Sequence, residues 1–171
     1  MSKILLFTPD RYIVQDLDWA KMVWEPMDAH RYIEAFAVAD ALIDNMIESL
    51  LRQVYNSGPC QDLINQIHLL RSKVGFDGIN ILAILKNKKL IDEKLYSHVI
   101  KFKQARNSVL HTVQGEHELI DEKIMPTIKS QEEFDQAAKK AAKQRLDEAF
   151  QIFCDLLEVS DKIAEEKKTA K

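Results

Sequence analysis

Between His30 and Tyr55 the residues Ile33, Phe36, Ala37, Ile43, Ile47, Leu50, Leu51 and Val54 recur at helical spacing and form one stripe. Such a stripe has to be covered, because apolar side chains repeating every ~3.6 residues share a face that packs against neighbours. The rest of the chain supplies those neighbours. Only four glycines and four prolines occur in 171 residues, while Ala, Leu, Ile, Lys, Glu, Gln and Asp dominate. That composition favours long helices over a turn-rich sheet. With 46% of its residues apolar, a chain of this length can bury a core of ordinary size. The expected fold is all-α, an up-and-down helical bundle of about five main helices in one domain spanning residues 1–171.

Residues 1–29 read as a mixed lead-in, with Pro9 and Pro26 as breakers and Trp19, Met22 and Val23 spaced for a short helix near Asp16 to Trp24. After the long helix, Asn56-Ser57-Gly58-Pro59 turns the chain. Leu63, Ile64, Ile67, Leu70 and Val74 then outline a second helix ending at Gly75. Asp77 caps a third, short helix in which Ile79, Leu82, Ala83, Ile84 and Leu85 are apolar nearly all round, before a Lys86-Asn87-Lys88-Lys89 corner. A fourth helix runs from Asp92 to Val113, with Leu95, Val99, Phe102, Val109, Leu110 and Val113 on one side and a stop at Gln114-Gly115. Glu116 to Ile128, interrupted by Pro126, reads as a loop with one helical turn. Ser130 and Glu133 form an S-x-x-E capping box that opens a long C-terminal helix over residues 130–165. Phe134, Ala138, Ala141, Ala149, Ile152, Phe153, Leu156, Leu157 and Ile163 are its packing face.

Several function classes drop out. The apolar runs fall far short of the ~18–20 residues of a membrane span, and a lysine followed by four apolar residues is too short for a signal-peptide core. No membrane partner and a cytoplasmic location are expected. Cys60 and Cys154 stand far apart with no CxxC or Cys/His cluster, so each is expected to be a buried small hydrophobe rather than a disulfide or zinc ligand. His30, His68, His98 and His117 show no metal-ligand spacing. No Walker loop, G-x-G-x-x-G, G-x-S-x-G or H-E-x-x-H is present, and neither metal nor cofactor is expected. A formal charge of −3 gives no overall attraction to polyanions. From Lys86 to Arg106, however, seven basic residues meet only Asp92 and Glu93, a local excess of five.

Charges also sit where the periodicity predicts hydrocarbon. At about 100° per residue, Asp40 and Asp44 lie within roughly 50° of the centre of the first long helix's stripe, and Arg106 lies in the middle of the fourth helix's stripe. An unpaired buried charge costs several kcal/mol, so Arg106 is expected to pair with Asp40 or Asp44. Such a pair either ties two helices together or holds a guanidinium at the rim of a cleft.

The arginine opens the run Arg106-Asn107-Ser108-Val109-Leu110-His111. This resembles the R-x(4–6)-H motif, with a polar residue directly after the arginine, of HEPN domains, the higher-eukaryote and prokaryote nucleotide-binding superfamily. The context is similar too: an amphipathic first helix, a Leu85-x-x-x-x-Leu90-Ile91-Asp92 corner, and the motif near the end of the following helix, together spanning Ile33 to Val113. The resemblance implies a compact helical bundle that often dimerises, bringing two copies of the motif together across a two-fold axis. It also implies, in many members, a metal-independent endoribonuclease, including toxins of toxin–antitoxin pairs. By that resemblance Arg106, Asn107 and His111 are the active-site groups.

The chemistry suits those residue types. Cutting RNA without a metal requires activation of the 2′-hydroxyl, stabilisation of charge on the phosphorane, and a proton for the departing 5′-oxygen. An imidazole titrating near neutrality serves the proton transfers, and a guanidinium binds phosphate oxygens through two N–H groups. Asn107 is four residues from His111 and shares its helix face. Lys94, Lys101 and Lys103 are expected phosphate contacts, weakening with salt. Arg106 and His111, five residues apart, emerge about 140° apart on a regular helix. A composite site therefore needs a helix break, a long arginine reach, or two subunits. The expected function is an RNA-cleaving or RNA-binding homodimer, with an antitoxin or regulatory protein as a further partner. Two alternatives stand beside it: a non-catalytic HEPN-like regulatory or interaction module, and a helical interaction protein that docks through its long last helix.

Overall fold

The computed structural model describes residues 3–8, 11–16, 19–55, 78–111 and 117–169. Its helices are a single turn α1 (Glu25–Asp28), α2 (Tyr32–Tyr55), α3 (Gly78–Asn87), α4 (Glu93–His111) and α5 (Gln131–Thr169). Apart from one two-stranded hairpin, the regular elements of the described residues are helices, as expected of an all-α helical bundle. Among the described residues no helix is long and apolar enough to cross a membrane. The expected second helix up to Gly75, the Asp77 cap and the Gln114-Gly115 stop lie outside the described residues.

The lead-in departs from expectation. Lys3–Thr8 (β1) and Arg11–Asp16 (β2) pair antiparallel, with Lys3 opposite Asp16 and Thr8 opposite Arg11. The two runs Ile4–Phe7 and Tyr12–Val14 flank Pro9-Asp10, an apolar–turn–apolar pattern that suits a hairpin. Asp16 thus ends a strand instead of starting a helix. Helical structure begins with a widened π-type turn, Ala20–Trp24, that runs into α1. Pro26 stands in the first turn of α1, where its missing N–H is no loss, so it helps start a helix instead of breaking one.

Two helix ends close in the same way. At α1, Arg31 N–H donates to Pro26 O (2.8 Å) and His30 N–H to Met27 O (3.1 Å). At α3, Leu90 N–H donates to Leu85 O (3.0 Å) and Lys89 N–H to Lys86 O (2.8 Å). These are Schellman closures, and in each the residue at the turning point is left-handed: His30 and Lys89 both have φ 59°. Asp92 caps α4, its Oδ1 accepting from Leu95 N–H at 2.7 Å. Ser130 caps α5 through Glu133 N–H at 3.2 Å. Glu133 reaches back to Lys129 N–H at 2.7 Å, one residue earlier than a regular capping box.

The chain forms two compact units, Met1–Leu42 with Lys101–Gln151, and Ile43–Ile100 with Ile152–Lys171. In the first, Val23, Phe36, Ala39, Val109, Ala142 and Leu146 are fully buried or nearly so, and the rings of Phe36 and Phe102 stack with centroids 6.2 Å apart. α5 contributes mostly alanine here (Ala138, Ala142, Ala149), so neighbouring side chains can come close to its backbone. In the second unit the buried residues are mostly branched aliphatics, Ile43, Ile47, Leu50, Leu82, Val99 and Leu156 among them, each contributing about 1.5–3 kcal/mol by leaving water. Ile33, expected in the stripe of α2, is 53% exposed. It lies in the first turn of that helix, at the edge of the buried arc. α5 continues to Thr169, one turn past its expected end at Glu165.

Candidate functional site

The feature of the first unit that hydrophobic burial does not explain is a carboxylate shared by two cations. Asp40 follows Phe36 by one turn of α2, and Lys103 follows Phe102 on α4, so the ring stack and the charges belong to one helix–helix contact. Lys103 Nζ donates to Asp40 Oδ1 at 2.9 Å. Arg106 Nε lies 3.0 Å from Asp40 Oδ2. Its N–H is not aligned for a hydrogen bond to that oxygen, so the contact is an ion pair by proximity. The side chains of Lys103 and Asp40 are 6% and 9% exposed, that of Arg106 28%. The guanidinium therefore has one nitrogen turned inward and its outer edge at the surface, where Nη1 donates to Asn107 Oδ1 at 2.8 Å.

The expected pairing of Arg106 with Asp40 is present. Asp44 is half-buried on the next turn of α2. Asn107 is exposed. The backbone of α4 is helical without interruption from Glu93 to His111, so the break that would have brought Arg106 and His111 onto one face is absent. The side chain of His111 lies outside the described residues. Lys94 and Lys101 are exposed, as phosphate contacts must be. Lys103 requires correction: it was expected as a phosphate contact and is instead buried against Asp40. Sequence reasoning recognised the paired arginine and missed the buried lysine. The available signal was position, since Lys103 lies only about 60° from Arg106 around the helix.

Elsewhere, the basic stretch is partly neutralised. Lys86 Nζ lies 2.6 Å from Glu93 Oε2 and 4.3 Å from the centre of the Tyr96 ring. In the first unit an open groove of about 1130 Å³ runs between the turns of residues 117–126 and the Ala137–Glu148 face of α5. Its walls mix Leu119, Ile124 and Met125 with Asp121, Lys140 and Arg145. Ile124 is 51% exposed there. In the second unit a smaller groove of about 440 Å³ lies among residues of the α3–α4 corner, including Lys94, and of α5. Cys154 is half-buried, not fully buried as expected, and is a free thiol. Burial first, then the charges of Asp155 and Glu158, push that thiol above its ordinary value, which leaves it a poor nucleophile at neutral pH. Among the described residues no group of three or more His, Cys, Asp or Glu is placed to hold a metal ion. Comparisons of the chain with family models, with curated proteins and with solved structures found no match.

Proposed function

We propose that this chain is an HEPN-like, cytoplasmic RNA-binding domain whose Arg106, Asn107 and His111 act as a metal-independent endoribonuclease site in a homodimer. One observation carries the reading. Arg106 is tethered through Nε to a buried carboxylate while its outer edge and Asn107 stand at the surface, an arrangement that presents a fixed positive edge to a phosphate. A surface arginine with no tether would lose more conformational freedom on binding. The unbroken course of α4 supports the two-subunit version: with the two side chains about 140° apart, a second copy must complete the site. Lys94 and Lys101, both exposed, are the proposed phosphate contacts outside the motif.

The test is cleavage of labelled single-stranded RNA in EDTA by wild type, His111→Ala and Arg106→Ala. Expected are products with 2′,3′-cyclic phosphate and 5′-hydroxyl ends, lost in both variants, and activity that falls with dilution through the dimer dissociation range. Absence of cleavage that depends on His111, across RNAs of varied sequence, refutes the nuclease.

The groove beside α5 favours a second reading, a non-catalytic HEPN-like module that binds an antitoxin-like or regulatory protein. Its exposed Ile124, set among both acidic and basic side chains, suits a protein partner better than a polyanion. Low-salt RNA binding that is lost on Lys101→Glu yet unaffected by His111→Ala separates a binding module from the nuclease.

A further inference from the structure

The contact between Arg106 and Asp40 is of an unusual kind. Guanidinium and carboxylate groups prefer a two-point fork with parallel N–H donors. Here a single nitrogen, Nε, approaches one oxygen without alignment, and Nη1 is turned away to Asn107. The other oxygen, Oδ1, is occupied by Lys103 Nζ at 2.9 Å. We infer that Lys103 is a positioning residue: by holding Asp40 Oδ1 it competes with Arg106 for that oxygen, disfavours a two-point fork, and so keeps the guanidinium edge outward for an anionic phosphate. This rests on the reading of Arg106 as a phosphate-gripping group.

The physical case lies in what each cation contributes. A buried lysine paired to a carboxylate confers little net stability, since an apolar side chain of similar volume often does as well. Lys103 is nevertheless buried almost completely. Without it, Oδ1 is open, and Arg106 is the nearest described cation able to fill it. The guanidinium then closes on both oxygens, gains a second charge-assisted hydrogen bond, and draws its Nη groups away from the surface. The lysine therefore acts through the arginine and touches no ligand itself.

The test uses the full chain with Lys103→Met, whose side chain has similar length and no charge. Two measurements are made: hydrogen exchange of the Arg106 Nη protons by nitrogen-15 NMR, and low-salt binding of a fluorescein-labelled single-stranded RNA. Lys103→Met is expected to slow Arg106 Nη exchange by about tenfold or more, the size of one charge-assisted hydrogen bond. It is expected to weaken RNA binding to the level of Arg106→Ala. Adding Asp40→Asn to Lys103→Met removes the charge that captures the arginine, and RNA binding recovers well above that of Lys103→Met, short of wild type because the tether on Nε is lost as well. A protein that had merely lost packing would not recover in this way. Unchanged Nη exchange in Lys103→Met overturns the inference, as does RNA binding that Asp40→Asn fails to raise. If wild type itself binds no RNA, the functional reading fails while the exchange measurement still decides the role of Lys103. Should Lys103→Met not fold by circular dichroism, Lys103→Gln replaces it, and unfolding of both variants refutes the inference by making the lysine structural.

Discussion

The two units of the chain each admit polar groups into an apolar stripe, by different means. In the first, the group is a charge: Asp40 between Lys103 and Arg106. In the second, Ser160 interrupts the packing face of α5 and is met by a neutral partner, Gln53 Nε2, at 2.7 Å. A neutral hydrogen bond of that kind nets about 1 kcal/mol. A buried ion pair nets little over apolar substitutes, yet losing one partner costs far more. The neutral solution is enough to join two helices. The charged one leaves a guanidinium edge at the surface, which the neutral one cannot do.

The largest expected effect tests that contrast directly. Asp40→Ala leaves two cations without their carboxylate and is expected to destabilise by about 3–5 kcal/mol, read as a lower urea midpoint at unchanged slope. Ser160→Ala is expected to cost only about 1 kcal/mol in the same assay; equal losses would erase the distinction between the units. A smaller contrast concerns the left-handed helix ends, one in each unit. Lys89→Gly removes a strained φ and is expected to stabilise by roughly 0.5–1 kcal/mol. His30→Gly is expected to gain less, because the His30 ring hydrogen-bonds to Tyr32 Oη at 2.9 Å. Thermal unfolding of the two variants ranks them. Smallest is a pH effect confined to the second unit. The folded state holds the Cys154 thiol above its ordinary 9.0, so the unfolded chain gives up that proton first and stability declines as pH rises past 9.0. Cys154→Ser is expected to flatten that decline, measured by urea unfolding across the alkaline range.

Much of this was legible beforehand, for local reasons. The stripe of α2, the Asp92 and Ser130 starts and the course of α5 all follow from a period and from side chains that bond to nearby backbone. The Arg106–Asp40 pair was legible because a charge in mid-stripe must find an opposite charge. The hairpin was not legible from period alone, since a short continuous apolar run such as Ile4–Phe7 reads equally as strand or helix. Ile33 was misjudged because it lies at the edge of the buried arc, and a stripe does not say how wide its cover is: Tyr32, Ala35 and Phe36 in the same turn are buried.

What the sequence determined by itself, among the described residues, is the course of α2, α4 and α5, the Asp92 and Ser130 caps and the faces these helices present, because a helix's hydrogen bonds and side-chain directions repeat over three or four residues. What only the tertiary structure decided is which carboxylate the inward basic residues of α4 meet. Lys101 and Lys103 are two positions apart and chemically identical, yet one is in water and the other meets a carboxylate 63 residues away in the chain. That outcome depends on where α2 sets Asp40 against α4, and no short-range rule contains that distance.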